Sequence, residues 1–264
     1  MRHDLVLSAV LLAATAICRA DAAPSIVETP DGRPPEGAVV LFDGKGTNLF
    51  LSKYGEECKW PVVDGALVST AGDVRANHIV SKFHFRDAQI HVEFMLPEAE
   101  GGRRYSGNSG VYIHGHYEMQ VFNSSGKERV SKGDCGAIYG ISPPLTSACR
   151  KPGEWQTYDI LYIAPRRNDQ GKIVEPGSIT AKLNGQLVQD ETRFEEPTST
   201  YHPLRYKTTP YTDRIKEKLL ATGSGPVFLQ DHGNPVRFRN VWVLPLDDKA
   251  GMFEPPPAGE GANP

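Results

Sequence analysis

The chain has 264 residues, of which 39% are hydrophobic and 23% charged, and its formal net charge is −3. That balance carries no field of the kind that holds nucleic acid or an anionic membrane surface. It does supply enough apolar side chains for one buried core of sandwich size.

The first residues read as a targeting segment. Leu5 to Ile17 is an apolar run interrupted by Ser8 and Thr15, and it is followed by the small-residue pattern Ala20-Asp21-Ala22. This predicts a signal peptide over residues 1–22 and a secreted or periplasmic protein. The run is too short for a bilayer span, and no later apolar stretch is longer, so no transmembrane segment is expected. A lipid anchor on Cys18 is the competing reading, opposed by the bulky Ile17 before it. The leader takes Arg2, Arg19, Asp4 and Asp21 with it, so the mature chain keeps the same net charge.

Residues 23–37 carry Pro24, Pro30, Pro34 and Pro35 and read as an extended lead-in, whereas residues 249–264 are again rich in Pro, Gly and Ala and read as a disordered tail. Between them, over residues 38–248, apolar side chains recur every second position. Ala88 to Phe94 alternates strictly, as do parts of Ser178 to Leu183 and Pro235 to Trp242. Turn chemistry at Asp43-Gly44, Asp64-Gly65, Gly101-Gly102 and Asn184-Gly185 separates these half-buried strands. Many short strands joined by such turns predict an all-β sandwich or jelly roll. Tyr211 to Leu220 is the one helical candidate, inside a long connection from Glu191 to Gly225. Of the cysteines left after the leader, Cys135 and Cys149 are the cheapest disulfide in an oxidising compartment, which leaves Cys58 free or buried.

The densest set of reactive groups lies in Gly107 to Val121. Two short strands joined at His114-Gly115-His116 place Glu118 and Gln120 on one face and Tyr117, Met119 and Val121 on the other. A carboxylate can take a proton and a neighbouring amide can grip two hydroxyls, which suits a sugar. For an isolated strand Glu the default is a solvated surface group; the nearby Asn108, Ser109, His114 and His116 argue against that. A second constellation ends a strand at Gln230-Asp231-His232-Gly233 and restarts at Pro235. His232 beside Asp231 reads either as an acid or base or as a turn residue bonded to backbone. Arg237 and Arg239 share a side of their strand, either to bind sugar oxygens or to balance carboxylates. His114 and His116 flank one glycine without the spacing of a catalytic zinc helix. No cofactor is predicted, although a divalent metal such as calcium, held by loop carbonyls, would leave no motif to read.

Several ordered segments resemble the secreted family known as the 3-keto-disaccharide hydrolase domain. They are Leu41-Phe42-Asp43-Gly44, Trp60 to Leu67, Asn108 to Tyr112, Tyr117-Glu118-Met119-Gln120, Gly136 to Gly140, Pro152 to Trp155, Leu183-Asn184-Gly185 and Leu229 to Gly233 through Phe238-Arg239-Asn240. The resemblance implies a concanavalin-like jelly roll of two curved antiparallel sheets with a sugar groove. It also implies a carbohydrate substrate oxidised at its third carbon, whose acidic neighbouring hydrogen allows the anomeric group to leave by β-elimination before water adds. On this basis Glu118 is expected as the base and His232 as acid or enolate donor. Asn108, Gln120, Tyr139, Gln230 and Arg237 form the expected substrate-binding set. A lectin-like binding module is the alternative; a laminarinase-type glycosidase is disfavoured because Gln120 stands where a second carboxylate is wanted. Oligomeric state is not legible.

Overall fold

The computed structural model describes residues 24–29, 31–69, 78–98, 107–197 and 199–254. The predicted leader, the Gly101-Gly102 turn and the last ten residues lie outside them. Two antiparallel sheets face each other, as the alternating pattern predicts. The eight-stranded sheet contains β1 (Val39–Phe42), β3 (Val62–Val63), β4 (Ala66–Val68), β6 (Ala88–Met95), β9 (Trp155–Ile163), β12 (Gly177–Leu183), β13 (Gln186–Phe194) and β15 (Arg237–Pro245). Its path runs β13-β12-β9-β6-β15-β4-β3, with β1 also on β15. The six-stranded sheet runs β16 (Gly251–Met252), β5 (Ile79–Phe85), β14 (Gly225–Leu229), β7 (Asn108–Ile113) and β8 (Tyr117–Phe122), with β2 (Phe50–Ser52) also on β5. A small hairpin of β10 (Arg166–Arg167) and β11 (Ile173–Glu175) stands apart.

The core between the sheets is the sum of the alternations. Ile90, Val92 and Phe94 from β6, Tyr158, Ile160 and Tyr162 from β9, and Phe238, Val241 and Val243 from β15 meet Val111, Ile113, Tyr117, Met119, Val121, Val227 and Leu229 from the other sheet. A second, smaller cluster lies on the opposite face of the six-stranded sheet. There Leu51, Val80, Tyr112 and Phe228 are covered by Leu204 and by Tyr211, Ile215 and Leu219 of a helix, α1 (Pro210–Thr222).

Helix α1 extends the predicted Tyr211–Leu220 by a residue or two at each end, and its limits have local causes. Thr209 caps the first turn and exchanges hydrogen bonds with Thr212 in a capping box, Pro210 stands where its missing N–H is not needed, and Gly223 closes the helix at φ 73°. The cap also ties the helix to the sheet, since Thr209 Oγ1 donates to the Lys53 carbonyl at 2.5 Å. Thr209→Ala is therefore expected to cost about 1–2 kcal/mol, read as a lowered urea midpoint with an unchanged slope.

Two sequence expectations need correction. The tail assigned to residues 249–264 is ordered at its start: β16 pairs with Phe83 and His84, and Phe253 packs at a tilt against the His84 ring and stacks on Tyr211. An aromatic residue with an apolar helix face to cover outweighs the Pro- and Gly-rich composition around it. The disulfide expected between Cys135 and Cys149 is instead a contact between two free thiols. The Cys135 thiol hydrogen-bonds the Cys149 sulfur and holds the Cys149 pKa down to about 7. Cys58 is buried, which pushes its thiol up to about 11. The lead-in, by contrast, docks on the outside of the eight-stranded sheet, where Val27 exchanges hydrogen bonds with Gln89 and the Gly32 carbonyl receives the Trp242 indole N–H at 3.1 Å.

Candidate active site

Strand register lays two rows of side chains across the face that α1 partly covers. The first row follows the pairings Leu51 with Val80, Val80 with Phe228, Phe228 with Tyr112, and Tyr112 with Glu118. Its first four members are apolar or aromatic and lie beneath α1. Its last member, on edge strand β8, is the carboxylic acid Glu118. The next outward-facing row is polar. Lys53 N–H donates to the His78 carbonyl, Asp231 N–H to His78 Nδ1, Gln230 N–H to the Gly110 carbonyl, and Gly110 faces Gln120. The row thus reads Lys53, His78, Gln230, Gly110, Gln120.

Glu118 sits where the rows meet. Its side chain lies over Gly110, since a Cβ placed there would come within 2.3 Å of Glu118 Oε1. The carboxyl is hydrogen-bonded to the Tyr112 hydroxyl, which in turn accepts from Gln230 Nε2 at 3.1 Å. Burial leaves Glu118 only 8% exposed and raises its pKa to about 8, against a smaller opposing effect of the Tyr112 hydrogen bond. The Tyr112 phenol is itself held well above its ordinary range by burial and by the Glu118 charge.

The amide carbonyls Gln120 Oε1 and Gln230 Oε1 are buried beside this acid with no hydrogen-bond partner among the described residues. Two unpaired acceptors in one wall carry a cost that a hydroxylated ligand removes. Gly110→Ala is expected to displace the carboxyl and break its bond to Tyr112. The variant should lose about 1–3 kcal/mol of stability, as small-to-large changes in a filled space do, and most of its turnover. Thermal melts beside a rate assay read both.

The structure brings together most of the sequence-predicted site. Glu118, Gln120, Gln230 and Asn108 share the outward face by alternation, with the Asn108 N–H held by Asn234 Oδ1 at 2.9 Å. Tyr139 N–H donates to the Glu118 carbonyl, and its phenol is close enough to raise the pKa of Tyr112. His232 is exposed on the loop after β14, and its charge is felt by His78. Arg237 is not with them: it belongs to β15 of the other sheet, where its guanidinium donates to the Val63 carbonyl at 2.7 Å and faces Asp64. Its neighbour Arg239 likewise pairs with Glu93 and lies over the Trp155 ring.

Lys53, His78 and Tyr112 are the residues sequence reasoning missed. His78 is buried and kept neutral, with its pKa pushed down to about 3 by burial and then by the nearby Lys53 and His232 charges. Burial and the Lys207 charge lower the Lys53 pKa as well. Among the described residues no cluster of three or more His, Cys, Asp or Glu could hold a metal ion. A separate cleft of about 820 Å³ opens at the turn end of β7 and β8, lined by His114, His116, Tyr162, Arg166 and the last turn of α1. It contains neither the raised carboxyl nor the unpaired amides that lie together beside Glu118.

Comparison with known proteins finds the same fold elsewhere. A solved structure from Parabacteroides distasonis ATCC 8503, described as a candidate glycosyl hydrolase, shares 32% identity at a TM-score of 0.65, covering 80% of this chain and 85% of its own. A second from the same organism, with the same description, has 20% identity and a TM-score of 0.54 over 84% of this chain and 99% of its own, a likeness of fold. No curated protein matches the sequence. The sequence pattern of the 3-keto-alpha-glucoside-1,2-lyase-like domain matches residues 37–244. The match takes in every strand from β1 to β14, nearly all of β15, and Glu118 with its neighbours, and the chain belongs to the family of 3-keto-alpha-glucoside-1,2-lyase-like domains.

Proposed function

We propose that the protein cleaves glycosides whose sugar is already oxidised to a ketone at its third carbon. The observation that carries this reading is the buried Glu118 carboxyl, with a pKa near 8, beside two unpaired amide carbonyls. An ordinary glycosidase needs a second carboxylate across the scissile bond. The facing positions of both rows hold Gln120, Gln230, His78 and Tyr112 instead. One base of raised pKa suits a different reaction, removal of a carbon-bound proton next to a carbonyl.

In the proposed sequence ionised Glu118 takes the proton from the second carbon, and the C–H electron pair moves into an enolate on the ketone oxygen. Gln120 offers its Nε2 to that oxygen and its unpaired carbonyl to a sugar hydroxyl. The enolate then re-forms the ketone, creates a double bond between the first and second carbons and expels the anomeric oxygen as an alkoxide. The alkoxide takes a proton from His232 on the open side of the groove, and water adds at the first carbon to give the free 3-keto-sugar. Tyr112 holds the carboxyl in line while Gln230 fixes the phenol.

Purified protein incubated with 3-keto-trehalose and with trehalose itself tests the reading. Release of 3-keto-glucose from the first and nothing from the second is the expected result. Cleavage of the unoxidised disaccharide would instead make it a conventional glycosidase, and binding without cleavage of either would make it a lectin-like module.

A further inference from the structure

The polar row has a charged end that the proposed chemistry does not use. Lys53 occupies it, four strand spacings from the column of Glu118 and Gln120, or roughly 19 Å along the sheet at about 4.8 Å per strand. Lys53 is 4% exposed, yet among the described residues its ammonium makes a single hydrogen bond, to the Lys207 carbonyl at 3.2 Å, and passes 5.3 Å from the Tyr54 ring. Among the described residues no carboxylate lies within ion-pairing distance of it. Asp87 and Asp134, buried to a similar degree, each hold an opposite charge, on Arg166 and Lys127.

Buried charges are ordinarily paired, because desolvation without a partner is costly. The surroundings of Lys53 add positive potential instead: Lys207 is near, and the start of α1 rests on the Lys53 carbonyl through Thr209. An arriving anion would supply the missing partner. The row that leads there from Glu118 carries His78 and Gln230, both uncharged, so no other fixed charge of the row competes for it.

Resting on the reading of Glu118 as the base for 3-keto-glycosides, we propose that the leaving group lies along the polar row toward Lys53. Lys53 there selects leaving groups that bear an anionic oxygen group, a carboxylate or a phosphate monoester. It is a specificity residue, remote from the bonds that change. The keto ring, the second ring with its anionic group and the long side chain of Lys53 together bridge the separation.

Three 3-keto-disaccharides that differ only in the second ring provide the test: glucose, glucuronate and glucose 6-phosphate. With the wild-type protein one of the two acidic forms is expected to exceed the neutral form in kcat/KM by about ten- to a hundredfold, the range of a charge-assisted hydrogen bond, mostly through KM. Which acid gains identifies the group recognised. Lys53→Met should bring the ratio to about one, and Lys53→Arg should keep it well above one. A wild-type ratio near one, or a ratio that Lys53→Met leaves intact, overturns the proposal. If none of the three is cleaved, the cleavage reading itself has failed. Calorimetric binding of the glucuronate and glucose forms to wild type and Lys53→Met then still decides the role of Lys53 by the same ratios.

Discussion

Glu118→Gln is expected to lower turnover of a 3-keto-glycoside by about a hundred- to ten-thousandfold, the range for removal of a positioned general base. The substitution keeps the shape of the side chain over Gly110 and a partner for the Tyr112 hydroxyl, so the loss should fall on kcat with little change in KM. Wild-type kcat should also rise with pH and level off above about 8, because the proton must leave Glu118 before it can act as a base. A rate that falls across the same interval would mean that the protonated form is the active one and would recast Glu118 as the acid. Stopped assays of the wild type from pH 6 to 9.5 distinguish these outcomes.

The same substitution should stabilise the protein at alkaline pH. Folding raises the Glu118 pKa from 4.5 to about 8, so the folded state holds a proton that the unfolded state releases. The stability linked to that proton is fully present below pH 4.5, declines between 4.5 and about 8, and is absent above. The interval corresponds to about 5 kcal/mol. Buried histidines act in the opposite sense. The pKa values of His78 and His114 are both pushed down to about 3, and their contribution disappears as pH falls below 6.5. The wild-type profile alone therefore mixes the two. Subtracting it from the Glu118→Gln profile removes the histidines, and the difference should grow in favour of the variant by about 5 kcal/mol from pH 4.5 to 9 in urea titrations. A difference independent of pH would show that Glu118 carries no raised pKa.

What could be read in the sequence was whatever depends on alternation within one strand. The pattern Tyr117-Glu118-Met119-Gln120-Val121 separates site from core without reference to any other segment, and β8 follows it. Gln230 and Asn108 were accessible in the same way. Lys53, His78 and Tyr112 were not, because their place in the site arises from register between strands far apart in the chain, through which residues 53, 78, 230, 110 and 120 become neighbours. Nothing local to Ser52-Lys53-Tyr54 announces that its lysine is buried. Arg237 illustrates the converse. The alternation with Arg239 was legible and correct, but alternation names a face and not a sheet, and β15 carries both arginines on the sheet remote from Glu118.

The alternation that fills the core with one half of each strand has a bearing on how such a groove can diversify. Members of the polar row face away from the sandwich interior, so an exchange at position 53 leaves the packed side chains between the sheets in place. A lineage can therefore try new leaving groups by single steps without first acquiring compensating changes in the core. Position 110 has no such freedom, since any residue larger than glycine there would occupy the space of the Glu118 side chain. The chemistry is held still by sterics while the range of substrates is left open to drift.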